Sequence, residues 1–277
     1  MLKKYSGHPY VLWSGIFIVL PLLLVIYYSF VKTSPVTGEL MFSLEGYRTF
    51  LQPLYLKVFA KSVLLALEAT ILCLIIGYPI AYIIANMKPK TQKIMALLLI
   101  LPMWMNFLLR TYAWMTILQK NGFLNKMLSL LGLPTVNLLF TDGAVLLGMV
   151  YNFLPFMVLP IYTVLSKIDK GLIEAAGDLG ADHKMVLRKI ILPLSIPGVM
   201  SGITMVFMPA VSTFVIPALL GGGRSVLIGN VIEQQYLSVY NWNFGSAISV
   251  VLMIFILLSM GIMKRYDTDT EGEMNLW

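Results

Sequence analysis

The chain has 277 residues, 58% of them hydrophobic and 12% charged, with a mean hydropathy of +0.84. That composition excludes an ordinary soluble domain or a string of them. The formal charge of +7 would suit a nucleic-acid binder only if the basic residues clustered on one soluble face, and they do not.

Apolar runs long enough to cross a hydrocarbon core of roughly 30 Å recur along the chain. Six are expected, over about 10–31, 62–86, 94–118, 143–166, 195–219 and 246–263. The first is longer than a signal-peptide core and no small-x-small cleavage site follows it, so it reads as a retained helix. A lipid-exposed backbone must satisfy its own hydrogen bonds. The expected fold is therefore all-α, an integral membrane protein of six transmembrane helices in one domain over 1–277.

Charge placement orients it. With the N-terminus inside, Lys3, Lys4, Lys88, Lys90, Lys93, Lys167, Lys170, Lys184, Arg188, Lys189, Lys264 and Arg265 are cytoplasmic. Lys32, Arg48, Lys57, Lys61, Lys120, Lys126 and Arg224 lie outside, and Arg110 falls within a span. Twelve against seven is a positive-inside bias. The acids of the tail, Asp267, Asp269, Glu271 and Glu273, read as a short solvated strip.

The single cysteine, Cys73, lies in the second span, so no intrachain disulfide is possible and packing is its expected role. Prolines interrupt most spans: Pro21, Pro79, Pro102, Pro155, Pro160, Pro209 and Pro217. Each removes a helix hydrogen bond and invites a kink. Pro209 and Pro217 in the fifth span, with Gly198 and Gly202 below them, suit a helix that bends as the bundle rocks. They are equally consistent with the ordinary frequency of proline in membrane helices.

The inner links differ in length. The one at 87–93 is a tight turn, whereas 167–194 is long and polar, and a long inner loop in a compact bundle marks a docking place. Residues 174–193 read EAAGDLGADHKMVLRKIILP. Asp169 is placed to cap a short helix over about 170–179. On it Leu172, Ala175, Ala176 and Leu179 share one apolar face, left shallow by the two alanines. Gly180 permits a sharp turn by taking positive φ, and Pro193 is expected to end a second amphipathic stretch. Glu174, Asp178 and Asp182 are four apart, so on one continuous helix they would stack as like charges. A basic partner surface could supply the missing counter-charge; a solvated acidic face is the plainer alternative.

No G-x4-G-K-[ST] motif occurs, so phosphate cradling is not the task of this chain. Gly221-Gly222-Gly223-Arg224-Ser225 lacks the lysine and reads as a turn. His8 and His183 are far apart, so no histidine-based metal cluster is visible. No catalytic residues, metal or cofactor are expected. Ionisable residues within spans mark function by default, and two stand out: Glu68 and Arg110. Each lies roughly 10–12 Å below the outer surface at 1.5 Å per residue. They are expected to face the bundle interior and to pair, either as a polar lining or as a structural ion pair. Trp104, Asn106 and Tyr112 follow the same third span. Aromatic faces and carboxylates attract organic cations, so Trp104, Tyr112, Glu68 and Asp142 would suit a cationic solute, although membrane aromatics also serve packing.

The spacing E-A-A-x3-G-x9-I-x-L-P resembles the cytoplasmic loop by which bacterial ABC importer permeases dock onto their ATPases. Further segments are similar to the B-type permeases of bacterial spermidine/putrescine importers. They include EGYRTFLQPLYLKVFAKS (45–62), ATILCLIIGYPIAYIIA (69–85), LPMWMNFLLRTYAW (101–114), NGFLNKMLSLLG (121–132), LLGGGRSVLIGNVIEQQYL (219–237) and NWNFGSA (241–247). The resemblance implies a type I importer permease fold in the bacterial cytoplasmic membrane. It implies a homologous C-type permease as partner, two ATPase subunits that bind ATP and Mg, and an external polyamine-binding protein. It implies that Glu174, Ala175, Ala176 and Gly180 couple ATPase closure to helix rocking. Permeases for sulfate, molybdate, thiamine or iron, an integral membrane enzyme, and an uncoupled channel are the competing readings.

Overall fold

The computed structural model describes residues 13–33 and 39–274, with side chains to 263. Lys3, Lys4, His8 and the start of the first expected span lie outside the described residues, as do the side chains of Lys264, Arg265 and the tail acids.

In chain order, a π-turn Gly15–Val19 leads into α1 (Leu20–Phe30). A hairpin of β1 (Val31–Thr33) and β2 (Leu40–Phe42) follows, with Val31 opposite Phe42. Next come α2 (Glu45–Phe50), α3 (Pro53–Ala85), α4 (Pro89–Trp104), α5 (Phe107–Leu118) and α6 (Phe123–Leu130). The remainder is α7 (Asp142–Leu165), α8 (Lys170–Asp178), α9 (His183–Ser212), α10 (Val215–Leu220), α11 (Ile228–Leu237) and α12 (Trp242–Met274).

Among the described residues, α3, α7, α9 and α12 are long and apolar enough to cross a membrane, and α4 with α5–α6 makes a fifth, broken candidate. The expected fourth span matches α7 to within one residue, despite Pro155 and Pro160 inside it. Three expectations need correction. The second span begins nearer Pro53 than 62, because that proline at the first turn starts a helix that nothing interrupts before Asn86. The third is bent by 90° between Trp104 and Phe107. Asn106 causes this by competing with the helix: its side chain accepts from the Leu108 and Leu109 amides and starts a new helix instead. The fifth extends from His183 to Ser212 and breaks at Thr213–Phe214, so Pro209 and Pro217 sit on different helices.

Pro193 does not end the preceding stretch. The chain widens into a π-turn over Leu187–Ile191 and continues. A wider turn relieves the clash between a proline ring and the carbonyl four residues back. The same device precedes Pro21, at Gly15–Val19.

The chain divides into two compact units whose boundaries fall inside α3 and α12: residues 1–60 with 228–257, and 61–227 with 258–277. In the first, the Asn243 amide donates to the carbonyls of Tyr28, Ser29 and Val31, which end α1. Tyr47 donates to Ser29 Oγ, and Phe59 packs edge-on against Phe50 and Phe255.

The second unit is organised around α7, where Val145, Met149, Met157, Val158 and Ile161 are fully buried. One side of α3 approaches it through small residues: Ala66, Ala69, Cys73, Gly77 and Ala81 are buried. Cys73 donates weakly to the Val150 carbonyl, the packing role expected of it. On α9, Gly198 and Gly202 form a G-x3-G face against α7. A Cβ at Gly198 would stand 3.0 Å from the Pro160 carbonyl, and one at Gly202 2.7 Å from Met157 Sδ. These glycines therefore serve close helix approach, where the sequence suggested bending.

Candidate functional site

The long loop is a built structure. Asp169 accepts from the Gly171 amide at 2.9 Å and starts α8, one residue shorter than expected. Gly180 adopts φ +81°, and the Ala181 amide reaches back to the Ala176 carbonyl at 3.0 Å. That six-to-one bond closes the helix end and turns the chain away. Leu172, Ala175 and Leu179 are exposed, Leu179 at 89%.

The opposite side of α8 faces the α3–α4 link across a cavity. Lys170 and Ile173 line a cavity of about 200 Å³ with Asn86, Met87, Pro89 and Gln92 of the α3–α4 link. Gln92 holds that link by donating to the carbonyls of Ala85 and Met87. Ile173 and Ala176 are half-buried, whereas Leu172, Ala175 and Leu179 are exposed.

The three acids would stack only on one continuous helix, and the helix is not continuous. Glu174 and Asp178 are exposed on α8, but the helix ends before Asp182. Asp182 instead caps α9, accepting from the Met185 amide at 2.7 Å. Positive φ at Gly180, the turn the sequence predicts, redirects the chain between the second and third acid.

The expected Glu68–Arg110 pair is overturned. Among the described residues the ion pairs are Lys32–Glu45 and Lys61–Asp142. Arg110 is 9% exposed and donates to the Pro102 carbonyl at 2.7 Å, bridging the break between α4 and α5. Its guanidinium lies 5.8 Å from the ring centres of Phe107 and Tyr151, and its Nε has no partner. The Pro102 carbonyl, in the last turn of α4, accepts from the Met105 amide as well as from the buried guanidinium, one for each lone pair. Glu68 is exposed on α3.

The remaining pathway candidates are dispersed. Asp142 binds Lys61 at 2.7 Å and accepts from Ser225 at 2.5 Å, which ties three segments together. Asn106 caps α5, while Trp104 and Tyr112 are exposed. Lys61 and Ser225 were not singled out from the sequence; neither carries a local signal for a contact so distant along the chain. The cap yields a prediction. Asn106→Ala is expected to cost about 1 kcal/mol. Thermal unfolding in detergent should show a lower midpoint than for Asn121→Ala, which removes no such cap.

With this geometry, residues 77–271 match the family described as the binding-protein-dependent transport system inner membrane component. The chain belongs to that family. It is 40% identical over 256 residues to the spermidine/putrescine transport system permease protein PotB of Escherichia coli K12, covering 91% of this chain and 93% of the relative. It is 38% identical over 262 residues to the protein of that name in Haemophilus influenzae, covering 91% and 90%. In fold, it is similar to a chain in the crystal structure of a bacterial ABC transporter that imports alginate, with a TM-score of 0.78 at 18% identity and 95% of both chains covered. The type I permease architecture is thus that of the family, and this permease is a multi-pass protein of the inner membrane. The family match spans α8, its Gly180 turn and the α7–α9 packing.

Proposed function

We propose that this permease forms half of the membrane pathway of an ATP-driven importer of polyamines. The observation that carries the coupling role is α8: a capped helix beside the α3–α4 link, with Leu172, Ala175 and Leu179 exposed on one face. Such a face accepts a partner surface at close range. Glu174 and Asp178 beside it offer charge to lysine or arginine on that partner.

In this reading two ATPase subunits bind ATP and Mg, and their closure moves α8 and, through the link, α3 and α9. A homologous C-type permease completes the pathway, and an external binding protein delivers the solute. The termini and the α8 loop lie on the cytoplasmic side, as the distribution of Lys and Arg favours. The 213–214 break between Pro209 and Pro217 is the point where α9 and α10 bend. Trp104 and Tyr112 present aromatic faces suited to organic cations. The polyamine assignment is supported by the 40% identity to a spermidine/putrescine permease.

The test is labelled spermidine uptake into proteoliposomes holding the complete complex. Uptake is expected only with ATP inside the compartment that bears the ATPases. ATP-independent flux, or sulfate uptake without spermidine uptake, would overturn the reading.

A further inference from the structure

Two sides of α3 differ sharply. The small residues pack toward α7, whereas Leu64, Ile71 and Ile75 are 56%, 54% and 62% exposed. Glu68 lies on this open side, between Leu64 and Ile71, within helical spacing of all three. An ionised carboxylate on a surface bathed in lipid is expensive, so a side that carries one faces water or a cation.

The cations of its own unit that stand nearest in the helical pattern are committed elsewhere. Lys61 is seven residues before Glu68, hence on nearly the same side and roughly 10 Å along the axis. Its ammonium is held by Asp142, which Ser225 secures. Arg110, at matching depth in the sequence, is held by the Pro102 carbonyl and two aromatic rings. Neither forms an ion pair with Glu68. Both of these cations are held by other partners, and among the described residues Glu68 has no ion-pair partner.

We propose that Glu68 receives an ammonium group of the translocated solute, a linear aliphatic polyammonium cation, within the membrane. The proposal rests on the polyamine reading and adds the residue that meets the charge. A primary ammonium carries three donors and no acceptor, so a carboxylate on an otherwise apolar track gives it orientation as well as attraction. Below Glu68 the same side of α3 continues through Ile75 and Pro79 into a mostly apolar groove against α9, lined by Leu192, Ile196 and Val199, with the Tyr78 and Ser195 hydroxyls and the Arg188 guanidinium also on its wall, so that the ammonium group is drawn to Glu68 and away from Arg188. The methylene chain between two ammonium groups fits such a surface.

The experiment compares wild type, Glu68→Gln and Glu68→Asp in the complete reconstituted complex. It reads labelled spermidine uptake, ATP hydrolysis and the amount of each subunit recovered. Glu68→Gln is expected to lower the uptake efficiency by about 10- to 100-fold, the range for losing one charge-assisted contact. Glu68→Asp should keep a larger share, and the amount of each subunit recovered should stay level. In wild type, spermidine should protect Glu68 from a hydrophobic carbodiimide, read by peptide mass spectrometry. Full uptake by Glu68→Gln, or labelling indifferent to spermidine, would overturn the proposal. So would loss of the second permease from the Glu68→Gln complex, which would make Glu68 a subunit-to-subunit ion pair. If wild type carries a different solute under ATP and no spermidine, the polyamine reading itself falls, and the proposal with it.

Discussion

Gly180→Val is expected to lower ATP-driven uptake more than about tenfold while the permease remains in the membrane at normal amounts. The native φ of +81° belongs to the left-handed region, and a Cβ there would meet open space, so no clash contributes. The penalty is entirely backbone: roughly 1–2 kcal/mol for an L-residue, and more for a β-branched one. A cost of that size depopulates the turn after α8 and reduces the apparent affinity for the docked partner by the same factor. Two consequences separate this from misfolding. Gly180→Asn should keep most activity, since asparagine visits that region readily, with Gly180→Ala between the two. Excess ATPase subunits during reconstitution should restore part of the valine variant's uptake by mass action. Equal activity of all three variants would show that the turn is not needed.

Gly198→Leu is expected to remove most of the permease from the membrane. The atoms a Cβ would meet at 3.0–3.1 Å include the Pro160 carbonyl and the Ile161 Cα, which are backbone and cannot swing aside. Overpacking of this type costs about 1–3 kcal/mol, sometimes more. Changes of that size alter steady-state abundance several-fold. Ile196→Leu, at an exposed position two residues earlier, adds no volume at the helix crossing and is the control. Quantifying subunit in purified membranes decides it: equal amounts of both variants would mean that the α7–α9 contact tolerates separation.

The two predictions also mark where sequence reading succeeds and where it stops. Asp169, the extent of α8 and the positive φ of Gly180 were legible because each follows from one residue acting on its immediate neighbours. A carboxylate before a short apolar-periodic stretch finds an amide two residues on, and a glycine after it takes the only turn that closes the helix end. The fourth span was equally clear, since a long apolar run suffices. Asn106 shows a partial failure: its capping ability is local, but whether it prevails over the apolar run on both sides depends on what packs around the break.

Charge partners were the least legible. Depth along two spans suggested that Glu68 and Arg110 meet, yet depth says nothing about azimuth, the direction each side chain takes around its helix. Azimuth is set by which stripe of α3 packs on α7, and the small residues from Ala66 to Ala81 turn Glu68 away. Arg110 was captured by the Pro102 carbonyl, which also accepts from the Met105 amide in the closing turn of α4. The order of apolar and polar residues was thus enough to establish a membrane bundle, its helices and the shape of the inner loop, all consequences of backbone hydrogen bonding and short-range geometry. Which charges meet, which glycines are contact points and which acid stays open were settled by packing between segments far apart in the chain, because those contacts depend on rotations that local sequence leaves free.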